Sequence, residues 1–102
     1  MLFRALIAIV NNIQQRINKP RLIFATEPYT SYYRQNPTKA KAINEAIRWV
    51  ASEYNCPIID LEKISNINSN NVNELTYDGV HPNPEGINRI KYKVARFILD
   101  NI

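Results

Sequence analysis

Two short apolar runs constrain this chain more than any other feature: residues 21–26 (RLIFAT) and 57–61 (PIIDL). Both are too short for a stable helix, and neither alternates in polarity, which suits strands buried on both faces. Helical spacing fills much of the remainder. Leu2, Phe3, Leu6, Ile7, Val10, Ile13 and Ile17 recur at three- and four-residue steps and predict an amphipathic helix over residues 3–18. Asn18-Lys19-Pro20 ends it, because the residue before a proline avoids helical geometry. Thr38 reads as the N-cap of a second helix running to Tyr54, with Ala42, Ile43, Ala46, Ile47, Val50 and Ala51 on its apolar side. Asn83, followed by Pro84 at the first helical position, starts a third helix carrying Ile87, Ile90, Val94, Phe97 and Ile98. The tyrosine-rich segment 28–37 and the asparagine-rich segment 64–76 read as irregular loops.

The order helix, strand, helix, strand, loop, helix implies an α/β fold with a parallel sheet and helices on its faces. Two strands are few for such a sheet. A parallel strand that is apolar on both faces needs neighbours on each side, so the expectation is a partial sheet whose remaining strands are absent from these residues or come from a partner chain.

Charge excludes little. The net charge is +4 and the pI about 9.4, with basic residues spread along the chain apart from Arg89, Lys91, Lys93 and Arg96 near the end. A solvated helix face explains those four, and no nucleic-acid partner is expected. The single cysteine, Cys56, rules out an internal disulfide and a multi-cysteine metal site, and its apolar setting reads as a small buried hydrophobe. No run approaches the ~20 apolar residues of a membrane span, and residues 2–10 lack the cleavage signature of a signal peptide, which leaves a cytoplasmic location by default.

Chemistry concentrates in residues 78–86, Asp78-Gly79-Val80-His81-Pro82-Asn83-Pro84-Glu85-Gly86, which hold the only histidine and the only two glycines. Gly79 permits a sharp turn between Asp78 and His81, and Pro82 biases His81 toward extended backbone. A carboxylate three residues from an imidazole can accept its Nδ1–H, fix the tautomer and leave Nε2 free as a general base. A structural hydrogen bond closing the loop is the simpler alternative. The loop follows the carboxyl end of the second strand, where open parallel sheets place their ligand crevices.

At these residues the sequence resembles the SGNH, or GDSL-like, hydrolases, whose last block is Asp-x-x-His followed by Pro, often Asn, and a Gly opening the C-terminal helix. The upstream order of helix, strand with a proline-containing loop, helix, and a strand ending in Asp-Leu is also similar, so the likeness spans nearly the whole chain. It implies a partial three-layer α/β/α sandwich of flavodoxin-like type, with about two parallel strands, three helices and the N-terminal strands missing. Residues 1–102 would be the C-terminal portion of such a domain. It further implies an ester hydrolase (carboxylic, acetyl or acyl esters) in which His81 is the acid–base residue and Asp78 orients it, with no cofactor and no metal.

The departures from the family pattern are large. The Gly-Asp-Ser nucleophile block and the later Gly and Gly-x-Asn-Asp blocks that supply oxyanion donors are not in this sequence. Of the serines, Ser31 alone follows a strand, but it lacks the tight strand–helix turn of a nucleophile. The expectation is an esterase part that is inactive alone and would act on a small ester only when completed. The alternative is a non-catalytic binding or interaction protein on the same scaffold, pairing with another chain or with itself through the open sheet edge.

Remaining residues take modest roles in this reading. Asp60 would accept backbone N–H groups at the end of its strand, and Glu27 would be a solvated rim carboxylate. Tyr29, Tyr32 and Tyr33 would line a cleft or pack as a loop, and Trp49 would be partly buried. A zinc site on Asp78 and His81 has too few ligands.

Overall fold

The computed structural model describes residues 2–16 and 20–102. It contains two strands and six helices: α1 (Leu2–Gln14), β1 (Phe24–Ala25), α2 (Ser31–Gln35), α3 (Pro37–Glu53), β2 (Ile58–Ile59), α4 (Leu61–Ile64), α5 (Val72–Leu75) and α6 (Pro84–Asn101). The strands are parallel, with Phe24 opposite Ile58 and Ala25 opposite Ile59. Phe24 N–H donates to the Pro57 carbonyl at 2.9 Å and Thr26 N–H to the Ile59 carbonyl at 3.2 Å. Residues alternate in direction along a strand, so the Ala25 amide and carbonyl face away from β2. Ala25 is correspondingly exposed.

The three long helices form where the apolar spacing predicts them, with shifted ends. α1 buries Val10 completely; the predicted Ile17 and Asn18 lie outside the described residues. α3 begins at Pro37 rather than after Thr38, because proline suits the first helical position and Asn36 becomes the boundary. Ala40, Asn44, Val50 and Ala51 are its buried residues, and α3 packs against both α1 and β1. α6 is capped by Asn83, whose Oδ1 accepts the Gly86 amide at 3.0 Å. α6 contacts α4 and α5.

Three corrections concern the short elements. Segments expected to be irregular hold α2 and α5, and α4 follows β2 directly. These helices have four or five residues, too few to show an apolar period and too few to be stable by propensity alone. The strands are also shorter than the apolar runs that contain them.

Tyr29 packs on a cluster of Ile67, Val72 and Leu75, which secures the asparagine-rich segment. Trp49, expected to be partly buried, is 45% exposed on α3. Val50 and Ala51 next to it turn inward instead.

The chain is flat and open. Its extents are 44 × 31 × 18 Å, and its Cα radius of gyration of 14.8 Å exceeds the about 13 Å of a compact domain of this length. Its accessible surface is 7051 Å², against about 6,000 Å² for a self-contained protein of the same mass. Part of the excess is apolar, with Ile87 near the start of α6 and Ile98, Leu99 and Ile102 at the C-terminal end exposed.

Candidate functional site

The segment between α5 and α6 is built almost entirely from its own hydrogen bonds. Tyr77 N–H donates to the His81 carbonyl at 2.9 Å, and Thr76 and Pro82 form an antiparallel bridge that closes the loop. Thr76 Oγ1 donates to the Val72 carbonyl at 2.6 Å and accepts the Gly79 amide at 2.9 Å. Gly79 has a φ of 89°, the left-handed region that glycine enters without steric cost. There is also no room for a side chain, since a Cβ on Gly79 would lie 2.7 Å from Ser31 Oγ.

Asp78 organises the turn around itself. Its Oδ1 accepts the amides of Val80 at 2.9 Å and His81 at 2.7 Å. Its Oδ2 accepts His81 Nδ1–H at 2.6 Å. The His81 amide, the His81 ring and then the Val80 amide hold the Asp78 carboxyl well below the usual carboxylate range. The group is therefore an anion at neutral pH and can only accept, which places the proton of neutral His81 on Nδ1. Nε2 is left with its lone pair. The pair is open to solvent, with side-chain exposures of 75% for His81 and 53% for Asp78. This geometry can hold an imidazole in one tautomer.

Gly86 sets the start of α6 against α5. A Cβ there would overlap the Leu75 carbonyl oxygen, and the Asn83 amide donates to that same oxygen at 3.0 Å. Asn83 Nδ2 donates to the Glu74 carbonyl at 2.8 Å. Both glycines of the motif thus mark close approaches of backbone.

A second polar cluster lies at the carboxyl ends of the two strands. Thr26, 1% exposed, donates its hydroxyl to Asp60 at 2.7 Å and accepts the Glu62 amide at 3.0 Å. Arg48 donates to both oxygens of Asp60, at 2.9 and 3.0 Å, and also to Glu62. Asn44 donates to Glu62 at 2.9 Å and pairs with both backbone groups of Glu27. The Arg48 guanidinium holds Asp60 below its ordinary range against a smaller opposing effect of burial. For Glu62 burial pushes upward, but Arg48, Asn44 and the nearby Tyr33 hydroxyl together outweigh it and the net shift is downward.

The expected backbone-accepting role of Asp60 is therefore corrected: it takes a buried hydroxyl and a guanidinium, because Arg48 reaches it from α3. Glu27 is an exposed residue as expected. Tyr29 and Tyr33 pack together, with ring centres 5.0 Å apart, while Tyr32 is exposed. Burial raises the Cys56 thiol above its usual range, and its sulfur lies 3.6 Å from the Tyr54 carbonyl. Among the described residues, no group of three or more His, Cys, Asp or Glu side chains is placed to hold a metal ion. No helix among them is long and apolar enough to cross a membrane.

Reasoning from sequence missed Thr26, Asn44, Arg48 and Glu62. One signal was available: Asn44 falls on the α3 face defined by Ala40 and Ala51, and a polar residue inside an apolar face needs a partner.

The architecture is thus a parallel α/β layer with a rigid Asp–His loop before its last helix. The profile of the GDSL-like Lipase/Acylhydrolase family matches residues 2–88, and the chain belongs to that family. A GDSL-like lipase from Bacteroides thetaiotaomicron has the same fold, with a TM-score of 0.76 at 19% identity over 98% of this chain. Another solved structure matches with a TM-score of 0.77 at 24% identity over 97% of this chain. This chain spans about half the length of each of these two structures, 52% in both cases. No curated protein matches it in sequence.

Proposed function

We propose that residues 1–102 are the C-terminal portion of a GDSL-type ester hydrolase domain, with His81 as general base and then acid and Asp78 as its orienting carboxylate. The observation that carries this reading is the double hold of Asp78 on His81, at 2.6 Å to the ring and 2.7 Å to the amide. In the completed domain Nε2 of His81 takes the proton of a serine hydroxyl and returns it to the leaving alcohol, while Asp78 stabilises the imidazolium. The serine and the oxyanion donors come from residues outside this sequence, so the chain alone does not turn over esters. One missing oxyanion donor alone is worth about 10²–10³ in rate.

The completing partner is a polypeptide that adds a parallel strand beside β1. Support comes from the outward-facing Ala25 backbone and from a surface of 7051 Å², about 1,000 Å² above that of a self-contained protein of this mass, more than the about 800 Å² per partner that a standard interface buries. The same open edge favours a second reading, a non-catalytic interaction protein that binds through β1 and uses the Asp–His loop only as a clasp.

The experiment is hydrolysis of p-nitrophenyl acetate by the chain alone and by the chain mixed with an N-terminal family segment carrying the serine block. Activity that appears only in the mixture and disappears in His81→Ala supports the esterase reading. A stable complex with no activity supports the interaction reading. Hydrolysis by the chain alone that survives His81→Ala overturns the acid–base assignment.

A further inference from the structure

Three successive peptide groups shape the turn from Asp78 to His81, and the middle one is held from outside the loop. The Gly79 amide donates to Thr76 Oγ1 at 2.9 Å and the His81 amide to Asp78 Oδ1 at 2.7 Å. Between them, the Gly79–Val80 peptide is held on both sides. Its N–H donates to Asp78 Oδ1 at 2.9 Å, and its carbonyl accepts the Ser31 amide at 2.8 Å. Ser31 is the first residue of α2, and its Oγ occupies the space where a Gly79 side chain would be. The position of Ser31 is itself restrained from both directions along the chain. Upstream, the buried Asn44 side chain pairs with both backbone groups of Glu27. Downstream, Arg34 donates to the Ser69 carbonyl at 2.8 Å. Thr30 caps α2 by accepting the Tyr33 amide at 3.2 Å.

We infer that Ser31 is a positioning residue for His81: its backbone N–H fixes the orientation of the Gly79–Val80 peptide, and that orientation lets Asp78 grip the turn. The central peptide of a tight turn can rotate with little change in the path of the chain, and turn types differ in this rotation. Gly79, in front of that peptide, accepts either arrangement because it has no side chain. Rotation would aim the Val80 N–H away from Asp78 and bring the Gly79 carbonyl oxygen toward the carboxylate. Asp78 would lose one amide donor and face a second partial negative charge, so its hold on the His81 ring would loosen. The Ser31 amide opposes the rotation by bonding the carbonyl in one orientation only. Ser31 is the serine that follows a strand, and the structure assigns its role to the amide rather than the hydroxyl. The importance of this hold for turnover rests on the esterase reading; the hold itself does not.

The test is NMR of the full chain. Ser31→Pro removes the N–H and keeps α2, because proline suits the first helical position and Thr30 before it is already extended, with φ −137° and ψ 173°. The three-bond HN–Hα coupling of Val80, which reads the φ that turns with the peptide, is expected to change. Exchange of the Val80 amide rises roughly tenfold, the scale of one lost hydrogen bond. The ring ¹⁵N shifts of His81, the only histidine, move from the Nδ1–H tautomer toward Nε2–H. The Tyr33 and Arg34 amides keep their wild-type exchange rates, which separates this effect from general loosening of α2. Ser31→Ala keeps the amide, removes only the hydroxyl and leaves the Val80 and His81 signals at their wild-type values. In the wild type itself, a coupling across the hydrogen bond from Ser31 N to the Gly79 carbonyl carbon is expected, and this measurement needs no variant to fold. Absence of that coupling, wild-type Val80 or His81 signals in Ser31→Pro, or the same changes in Ser31→Ala overturns the inference. None of these readouts needs turnover, so an esterase reading that fails in the hydrolysis assay leaves them intact, and the reverse also holds.

Discussion

Asp78 grips His81 twice, taking the backbone N–H on one carboxylate oxygen and the ring Nδ1–H on the other. Two contacts from one short side chain fix both the position of the residue and the tautomer of its ring. In Asp78→Ala the Val80 and His81 amides lose their acceptor and the ring loses the partner that keeps the proton on Nδ1. The expected outcome is a shift of neutral His81 toward the Nε2–H tautomer. His81 is the only histidine, so ring ¹⁵N shifts report it without overlap. A tautomer ratio that does not change in the variant would show that Asp78 does not orient the ring.

Acid lowers the stability of this fold in a defined direction. Asp60, Glu62 and Asp78 all lie below their ordinary ranges in the folded chain. A group with a depressed folded-state pKa contributes stability that is fully present above its unfolded value and is lost as pH falls through the folded one. Stability is therefore expected to be level near neutrality and to decline from about pH 4 downward, where unfolded carboxylates begin to bind protons. Thermal unfolding followed by circular dichroism from pH 7 to pH 3 checks it. The double variant Asp60→Asn/Glu62→Gln should flatten the decline, whereas Asp78→Asn should alter it less because that carboxylate is solvated.

Arg48 neutralises Asp60 and Glu62 at once, and all three are partly shielded, with side-chain exposures of 22%, 22% and 19%. Arg48→Met retains an unbranched apolar stem and leaves the Asp60 and Glu62 carboxylates without their shared cation. The expected cost is about 2–3 kcal/mol, between the values for exposed and buried pairs. Arg48→Lys recovers only part of it, since an ammonium cannot serve two acceptors in the fork geometry of a guanidinium. Urea unfolding of the three proteins measures the order, and equal stability for Arg48→Lys and wild type would refute the bidentate role.

Gly86→Ala and Gly79→Ala are expected to differ in kind. At Gly86 a methyl group meets the Leu75 carbonyl, which cannot rotate away, so α6 must lift from α5 at a cost of about 1–3 kcal/mol. At Gly79 the added methyl meets Ser31 Oγ at 2.7 Å and Ser31 Cβ at 2.9 Å, so the start of α2 must shift, and the φ of 89° adds strain within the loop. Gly86→Ala should lower the midpoint of global unfolding, whereas Gly79→Ala should act mainly on exchange at the loop amides. Identical global losses in both variants would contradict this division.

What was readable in the sequence follows from which interactions are local. The Asp78–His81 loop was legible because, Ser31 apart, the groups that shape it lie within residues 72–86, and glycine and proline mark its turns. The long helices were legible because Leu6, Val10 and Ile13, then Ile43, Ile47, Val50 and Ala51, then Ile87, Ile90, Val94 and Phe97 recur at helical spacing. The short helices were not, since α2 and α5 are held by contacts such as Ser31 to Gly79 and Tyr29 to the Val72 cluster rather than by their own sequence. The Thr26–Arg48–Asp60–Glu62 cluster was hidden for the same reason. Its hydrogen bonds join residues 12 to 36 positions apart, from the ends of β1 and β2, from α3 and from α4, and the parallel pairing of β1 and β2 brings them together.

That pairing also predicts how the open edge can be tested. Phe24 and Thr26 direct their amides to β2, so the Ala25 amide faces the unpaired side. Proline at position 25 removes a donor that β2 does not use, while denying it to any strand that adds beside β1. Ala25→Pro is therefore expected to keep the wild-type unfolding midpoint to within about 1 kcal/mol and to abolish association with a strand-donating partner or a second copy. Sedimentation velocity of the chain alone and with an N-terminal family segment reads the association, and circular dichroism reads the fold. If Ala25→Pro binds as the wild type does, the partner does not dock on β1, and the apolar end of α6 at Ile98 and Ile102 becomes the surface to mutate next.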